Sequence, residues 1–172
     1  AILNHVGIDY GILGSKESCC GESIRKTGNE ELFKRLAREN IKTFIDAGVK
    51  KILVSSPHCY HTFKNEYPEF MVNFDVVHVS QFLAELAAHA LKDHGAERIA
   101  VVNRTHSRSV ALAEQVGGRP MSWHQLNDVI VWADLVFTAT DAPHTLIYAN
   151  EIEPLLTKRG DRPLLFVDIA MP

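Results

Sequence analysis

Short apolar runs alternate along this chain with longer stretches whose apolar residues recur at helical spacing, and few folds accommodate that order. Val6-Gly7-Ile8-Asp9-Tyr10-Gly11-Ile12-Leu13 reads as a first strand. Asn29 is placed to cap a helix, with Glu30 and Glu31 at its positive dipole end. Leu32, Phe33, Leu36, Ala37, Ile41, Phe44 and Ile45 follow at helical spacing, and Gly48 is its stop. Ile52-Leu53-Val54 is a short buried strand, and residues 58–67 are helical up to Pro68. Val76 to Val79 is the next strand. Ser80 caps a helix carrying Phe82, Leu83, Leu86, Ala87, Ala90 and Leu91, with Gly95 beyond it. Ile99 to Val102, Leu135 to Thr138 and Leu164 to Ile169 are further strands. Helices carrying Val110 to Val116, running from Ser122 and spanning residues 151–159 lie between or before them. This βαβα order predicts an α/β fold with a mostly parallel sheet and helices on both faces. The near-continuous apolar strands agree, because parallel strands are buried on both sides.

The bulk composition narrows the function. Of 172 residues, 46% are apolar and 23% charged, a globular balance. A formal charge of −3 gives no electrostatic case for nucleic acid or an anionic membrane surface. No apolar run approaches the ~20 residues of a membrane helix, and no secretory signal is visible. Three cysteines, two of them adjacent, make a poor disulfide framework and point to a reducing, cytoplasmic setting. The chain starts at Ala1 without Met and stops at Pro172, just past an apolar strand, and so reads as a fragment of a longer protein.

All three cysteines belong to one constellation: Cys19-Cys20-Gly21, then Ser56-Pro57-His58-Cys59. The first pair follows the first strand and the second group follows the strand Ile52 to Val54. Loops at the ends of neighbouring parallel strands meet at one edge of a sheet, so the thiols can converge. Thiolates gathered in this way suit soft metals, above all iron–sulfur clusters and zinc. Three readings stand: a folded loop region without metal, an iron–sulfur cluster, or zinc held by the cysteines with His58 or His61. The stretches Glu17 to Glu22, Gly28-Asn29-Glu30, Pro57-His58-Cys59, Asn65 to Pro68 and Val77 to Leu83 resemble the CCG (cysteine-rich) domain of heterodisulfide reductase-like iron–sulfur proteins. That resemblance implies a 4Fe-4S cluster used in electron transfer or thiol–disulfide chemistry, with Cys19, Cys20 and Cys59 as its ligands. Ser56 stands where that family has a cysteine.

The second constellation follows the strand Ile99 to Val102. Where a dinucleotide-binding strand ends, an acidic residue selects the free 2′-hydroxyl of NAD, whereas arginine accommodates the 2′-phosphate of NADP. Asn103-Arg104-Thr105 and Arg108 lie there, and both arginines would pair with that phosphate. The run Gly95 to Thr105, with Ala113-Glu114, Gly117-Gly118, Ala133 to Val136, Thr138 to His144 and Val167 to Ala170, resembles the NADPH-binding domain of glutamyl-tRNA reductase. The related shikimate dehydrogenase fold shares part of the pattern, and Ala142-Pro143-His144 favours the reductase. The resemblance implies a Rossmann-like fold and NADP(H). Asn103, Arg104, Thr105 and Arg108 would hold the cofactor phosphate, and Thr138, Ala139 and Thr140 would line its cleft. That family works at the entry to tetrapyrrole synthesis. The Gly-x-Gly-x-x-Gly turn is missing, however. The chain reads Val77-His78-Val79-Ser80-Gln81-Phe82-Leu83 where those glycines would let backbone approach a pyrophosphate, so NADPH binding is expected to be weak or absent.

The two resemblances divide the chain into residues 1–83, a CCG-like iron–sulfur half, and residues 84–172, an NADP-binding half. The helix that begins near Ser80 can serve both, which predicts one continuous sheet of about six strands across the halves. The function expected is an oxidoreductase-type chain, not fully active as it stands, working with a redox partner protein. A catalytically inert α/β chimera and a thiol or zinc site without iron are the alternatives.

Overall fold

A computed structural model describes residues 2–140 and 145–169. Its elements, in chain order, are α1 (Ile2–His5), α2 (Glu22–Lys26), α3 (Glu30–Asp46), β1 (Lys51–Val54), α4 (Pro57–His61), β2 (Asp75–His78), α5 (Val79–Asp93), β3 (Ala100–Asn103), α6 (His106–Val116), β4 (Arg119–Ser122), α7 (Leu126–Trp132), β5 (Leu135–Thr138), α8 (Ala149–Arg159) and β6 (Leu165–Asp168). The chain divides into two compact units, Ala1–Val77 and His78–Pro172.

Local chemistry accounts for most of the first unit. The Asn29 side chain accepts a hydrogen bond from the Leu32 amide at 3.2 Å and starts α3, as expected of an N-cap. Phe33, Ala37 and Ile41 recur on the buried face, and Gly48 leaves the helix in the left-handed region at φ 68°. The Ser56 side chain caps α4, with Pro57 in its first turn. The helix then continues as one turn of π-helix over Thr62–Glu66 and a 3₁₀ turn over Tyr67–Phe70. Pro68 therefore sits inside this last turn, not beyond it, because it occupies the opening of a new helical segment where its missing N–H costs nothing. The core is aromatic. Phe63 meets Tyr67 edge-on at 4.9 Å, Phe44 meets Phe63 at 5.6 Å, and Phe33 and Tyr67 are fully buried.

One expected element is missing. Residues 6–13 form no strand, and Val6, Tyr10 and Ile12 are exposed. An isolated apolar run gains nothing from extended backbone without a neighbour to complete its ladder, and Gly7 turns the chain with φ 70°. The CCG loop instead follows a 3₁₀ turn over Gly14–Lys16.

In the second unit, α6 carries the chain from β3 to β4, and these strands run parallel with Ala100 opposite Arg119 and Asn103 opposite Ser122. β5 and β6 are likewise parallel, with Thr138 opposite Asp168. Gly118 is required by packing, since a Cβ there would lie 2.8 Å from the Ile99 carbonyl oxygen. Arg159, buried in α8, donates to the carbonyls of Ile130 and Val131 at the end of α7 and to Pro163. It thereby satisfies carbonyls that α7 leaves unpaired.

The α/β class and the parallel strands are as the sequence predicts. Hydrogen bonds among the described residues join strands only in pairs, β1 with β2, β3 with β4 and β5 with β6. The cap of α5 differs: His78, not Ser80, is its N-cap, and its Nδ1 accepts from the Ser80 amide at 3.3 Å. Imidazole reaches that amide because His78 ends β2 in extended backbone.

Candidate functional site

The cysteine loop is held by three contacts that need specific residues. Gly21 adopts φ 90°, and a Cβ there would lie 2.8 Å from Phe33 Cδ2, so only glycine lets the loop lie against that ring. The Tyr67 hydroxyl donates to the Cys20 carbonyl at 3.2 Å. Asn40 Nδ2 donates to the Cys19 carbonyl at 2.8 Å and to the Tyr67 hydroxyl at 3.0 Å. α3, through Phe33 and Asn40, and the 3₁₀ turn at Tyr67 thus fix one short stretch of backbone.

On that stretch, Cys20 is buried, Cys59 is partly buried and Cys19 is exposed. Cys20 Sγ and Cys59 Sγ lie 3.3 Å apart, while Cys19 Sγ accepts from the Gly21 amide at 3.4 Å. Burial pushes the Cys20 thiol up to about 12, with the hydrogen bond and charge of Cys59 adding to it. Burial likewise raises Tyr67 above the usual phenol range. The neighbouring Glu22 carboxylate is buried beneath Lys26, with which it forms an ion pair, and it accepts from His58 Nδ1 at 3.1 Å. Lys26 chiefly, then His58, holds Glu22 below the ordinary carboxylate range.

This donor set does not complete the metal site that the sequence implies. Three cysteines are one short of the four thiolates that hold a cubane cluster. The Ser56 oxygen is engaged at the start of α4, accepting from the Cys59 amide at 3.5 Å. Among the described residues no three His, Cys, Asp or Glu side chains gather closely enough to hold a metal ion. Tetrahedral zinc at ~2.3 Å from each sulfur would also set two thiolates about 3.8 Å apart, wider than the pair here. His58 and His61 pair with Glu22 and Glu66.

In the second unit, Asn103, Arg104, Thr105 and Arg108 occupy the turn from β3 into α6. The Asn103 side chain accepts from the Thr105 amide at 2.8 Å, which shapes the turn. Arg104 and Arg108 are exposed, and the Arg104 guanidinium lies 5.9 Å from the Trp123 ring centre. Thr138, Ala139 and Thr140 lie at the end of β5, where Thr138 donates to Asp168 on β6. The two groups thus stand at the ends of separate parallel ladders. Asp141, Ala142, Pro143, His144 and Ala170, which the sequence also singled out, lie outside the described residues. At the start of α5, the amide that would face a pyrophosphate is already bonded to buried His78, whose ring also meets the Ser80 hydroxyl at 2.8 Å. No glycine lies between Gly48 and Gly95 to open that turn.

Sequence reasoning missed Asn40, Tyr67 and Trp123. Asn40 left a signal: it is a polar residue between Ala37 and Ile41 on the buried stripe of α3, where an amide must find partners. Trp123 left none, because β4 was not foreseen.

Two families match the chain. The one described as Shikimate / quinate 5-dehydrogenase covers residues 82–172, and the one described as Cysteine-rich domain covers residues 1–64. Among the relatives, an EtfAB:quinone oxidoreductase of Syntrophomonas wolfei is 46% identical over 87 residues, 51% of this chain and 12% of the relative. A protein of Bacillus subtilis named "Probable iron-sulfur-binding oxidoreductase" is 48% identical over 85 residues, 49% of this chain and 12% of its own length. A glutamyl-tRNA reductase of Maridesulfovibrio salexigens is 43% identical over 90 residues, 52% of this chain and 20% of its own. The chain thus spans between 12% and 20% of the length of these relatives. No solved structure matches it. The chain joins a cysteine-rich region similar to iron–sulfur oxidoreductases to a region similar to glutamyl-tRNA reductases. Among the described residues, no helix is long and apolar enough to cross a membrane.

Proposed function

We propose, for a chain that belongs through residues 82–172 to the shikimate / quinate 5-dehydrogenase family, that it is an oxidoreductase-type module taking NADP(H) by its adenosine 2′-phosphate. One observation carries this reading: the turn from β3 into α6 presents exposed Arg104 and Arg108 and no carboxylate. Arg104 and Arg108 would pair with the phosphate, Asn103 and Thr105 shape the turn that receives it, and Thr138, Ala139 and Thr140 would border the cofactor. When bound, the cofactor supplies a hydride. The pyrophosphate end fits poorly, because His78 occupies the Ser80 amide in the first turn of α5, so the affinity expected is low and turnover incomplete. The tetrapyrrole-related activity of the glutamyl-tRNA reductases, a cytoplasmic setting and a redox partner protein belong to the same reading.

Calorimetric titration with NADPH and NADH tests it. NADPH binds more tightly, and Arg104→Ala lowers its affinity about ten- to a hundred-fold, as loss of one charge-assisted contact would. Equal affinity for the two cofactors overturns the assignment, and no binding of either leaves an inert α/β chimera.

A second reading concerns the first unit: a thiol site without iron or zinc. The 3.3 Å approach of Cys20 to Cys59 favours it, and the four-thiolate cluster that the resemblance implies lacks its donors. Iron and zinc assays on anaerobically purified protein decide: stoichiometric iron with a broad absorbance near ~400 nm overturns the thiol site.

A further inference from the structure

The three cysteines are unequal, and their inequality assigns roles. Cys59 Sγ touches Cys20 Sγ, and Cys59 is only partly buried, whereas Cys20 is buried. Cys19 points its sulfur at the Gly21 amide. We propose that Cys20 and Cys59 form a dithiol–disulfide couple, closing on oxidation into an intramolecular bond that leaves Cys19 as a free thiol. The proposal rests on the thiol reading of this site and adds to it the pairing, the order of reaction and the oxidant class.

The geometry needs little movement. A disulfide sets its sulfurs about 2.05 Å apart, so the pair must close by roughly 1.2 Å. The Cys20 backbone is clamped by Tyr67 and its neighbour's carbonyl by Asn40, so the adjustment falls on Cys59, in the short helix α4. The competing Cys19–Cys20 bond joins adjacent residues and would distort the peptide between them, which the same clamps oppose.

The oxidant is a low-molecular-weight disulfide. The Cys59 thiolate attacks one of its sulfurs, that disulfide bond breaks, and one small thiol leaves. Cys59 is then in a mixed disulfide, and the Cys20 sulfur, losing its proton to solvent, displaces the second small thiol. Two protein thiols have given up two electrons and two protons, and one external disulfide has become two thiols. Attack begins at Cys59 because Cys20 is closed to the reagent.

The test uses the whole reduced chain, assayed first for iron and zinc, then equilibrated with glutathione and glutathione disulfide at graded ratios. Free thiols are then alkylated and peptides mapped by mass spectrometry. The expected product lacks the mass of two hydrogens, contains a Cys20–Cys59 cross-link and is alkylated at Cys19. Cys19→Ser keeps the cross-link, and Cys20→Ser leaves Cys59 carrying glutathione. A Cys19–Cys20 or Cys19–Cys59 link, glutathione persisting on wild-type Cys59, or links only between molecules overturns the proposal while sparing a metal-free thiol site. Stoichiometric metal on the thiols overturns both. The wild-type map alone decides the pairing if a variant fails to fold.

Discussion

The two units solve burial differently. In the first, short helices close over a few aromatic rings, and Phe33, Ala37, Thr62 and Tyr67 have no exposed surface. In the second, all four residues of β3 and of β5 are only partly buried, and Leu165 and Phe166 of β6 are 61% and 40% exposed. Parallel strands are usually covered on both faces, and two-stranded ladders standing apart leave much of that surface open. A loop held against a closed core fixes side chains to within a hydrogen bond, as around Cys20. A turn at the end of a half-covered ladder presents exposed groups, as Arg104 and Arg108 are presented.

The largest expected effect breaks that contrast at its centre. Phe33→Ala removes a fully buried ring that touches Gly21, Arg25 and Phe70, and it lowers stability by about 3–5 kcal/mol in urea unfolding. Phe166→Ala in β6 costs less than the about 1.5–3 kcal/mol of a fully buried ring, since much of its surface is in solvent already. Similar losses at the two positions would mean that β6 is as well enclosed as α3. Gly21→Ala comes next, at about 1–3 kcal/mol, because alanine is strained at φ 90° and its methyl meets Phe33. Tyr67→Phe, at about 1 kcal/mol, loses the bond to the Cys20 carbonyl and the one from Asn40. Its distinctive readout is faster amide exchange around Cys20 rather than a large shift in midpoint.

How much of this the sequence foretold follows from the same contrast. α3 was legible because its cap, its apolar period and its terminal glycine agree. β1, β3, β5 and β6 were legible as apolar runs. β4 was not: Arg119-Pro120-Met121-Ser122 has no apolar run, and only its pairing with β3 makes it a strand. Val6 to Leu13 misled for the opposite reason, since apolar residues in sequence do not supply a neighbouring strand. At the cysteines, the loops were expected to meet because each would follow a neighbouring parallel strand; the structure sets two sulfurs in contact although the first of those strands is absent. The pattern of α3 marks Asn40 as a buried polar residue in need of partners, but that these are the Cys19 carbonyl and Tyr67 is set by tertiary packing, which no local pattern encodes. The cap of α5 fell to His78 rather than Ser80 because burial of that imidazole, not N-cap preference, decided it.

The smallest effect sharpens the comparison through acid. Arg25 of α2 donates to both Glu69 carboxylate oxygens, at 3.0 and 2.9 Å, lies 3.2 Å from Glu30 and stacks 4.6 Å above Phe33. The Arg25 hydrogen bonds, followed by its charge, hold Glu69 below its ordinary value of 4.5. A carboxylate whose folded pKa is depressed adds stability that is fully present above the unfolded value. That stability is lost as pH falls from about 4.5 through the lower folded value. Glu69 is half exposed, so solvent screens the pair and its contribution is about 0.2–1 kcal/mol. In the second unit, Arg159 and Arg162 donate chiefly to backbone carbonyls, which do not titrate, and their contacts with Asp134 are longer, at 3.8 and 3.6 Å, to a carboxylate that solvent screens more fully. Both tryptophans, Trp123 and Trp132, lie in that unit and report on it alone. Hydrogen-exchange protection of the α3 amides, taken relative to their intrinsic rates, should therefore fall as pH drops below 4.5 and before tryptophan fluorescence changes, and moderate salt should shrink the gap. Arg25→Lys, which keeps the charge but loses the paired geometry, should narrow it further. If fluorescence changes first, acid sensitivity belongs to the open unit, and the tighter packing of the first does not carry its charge network with it.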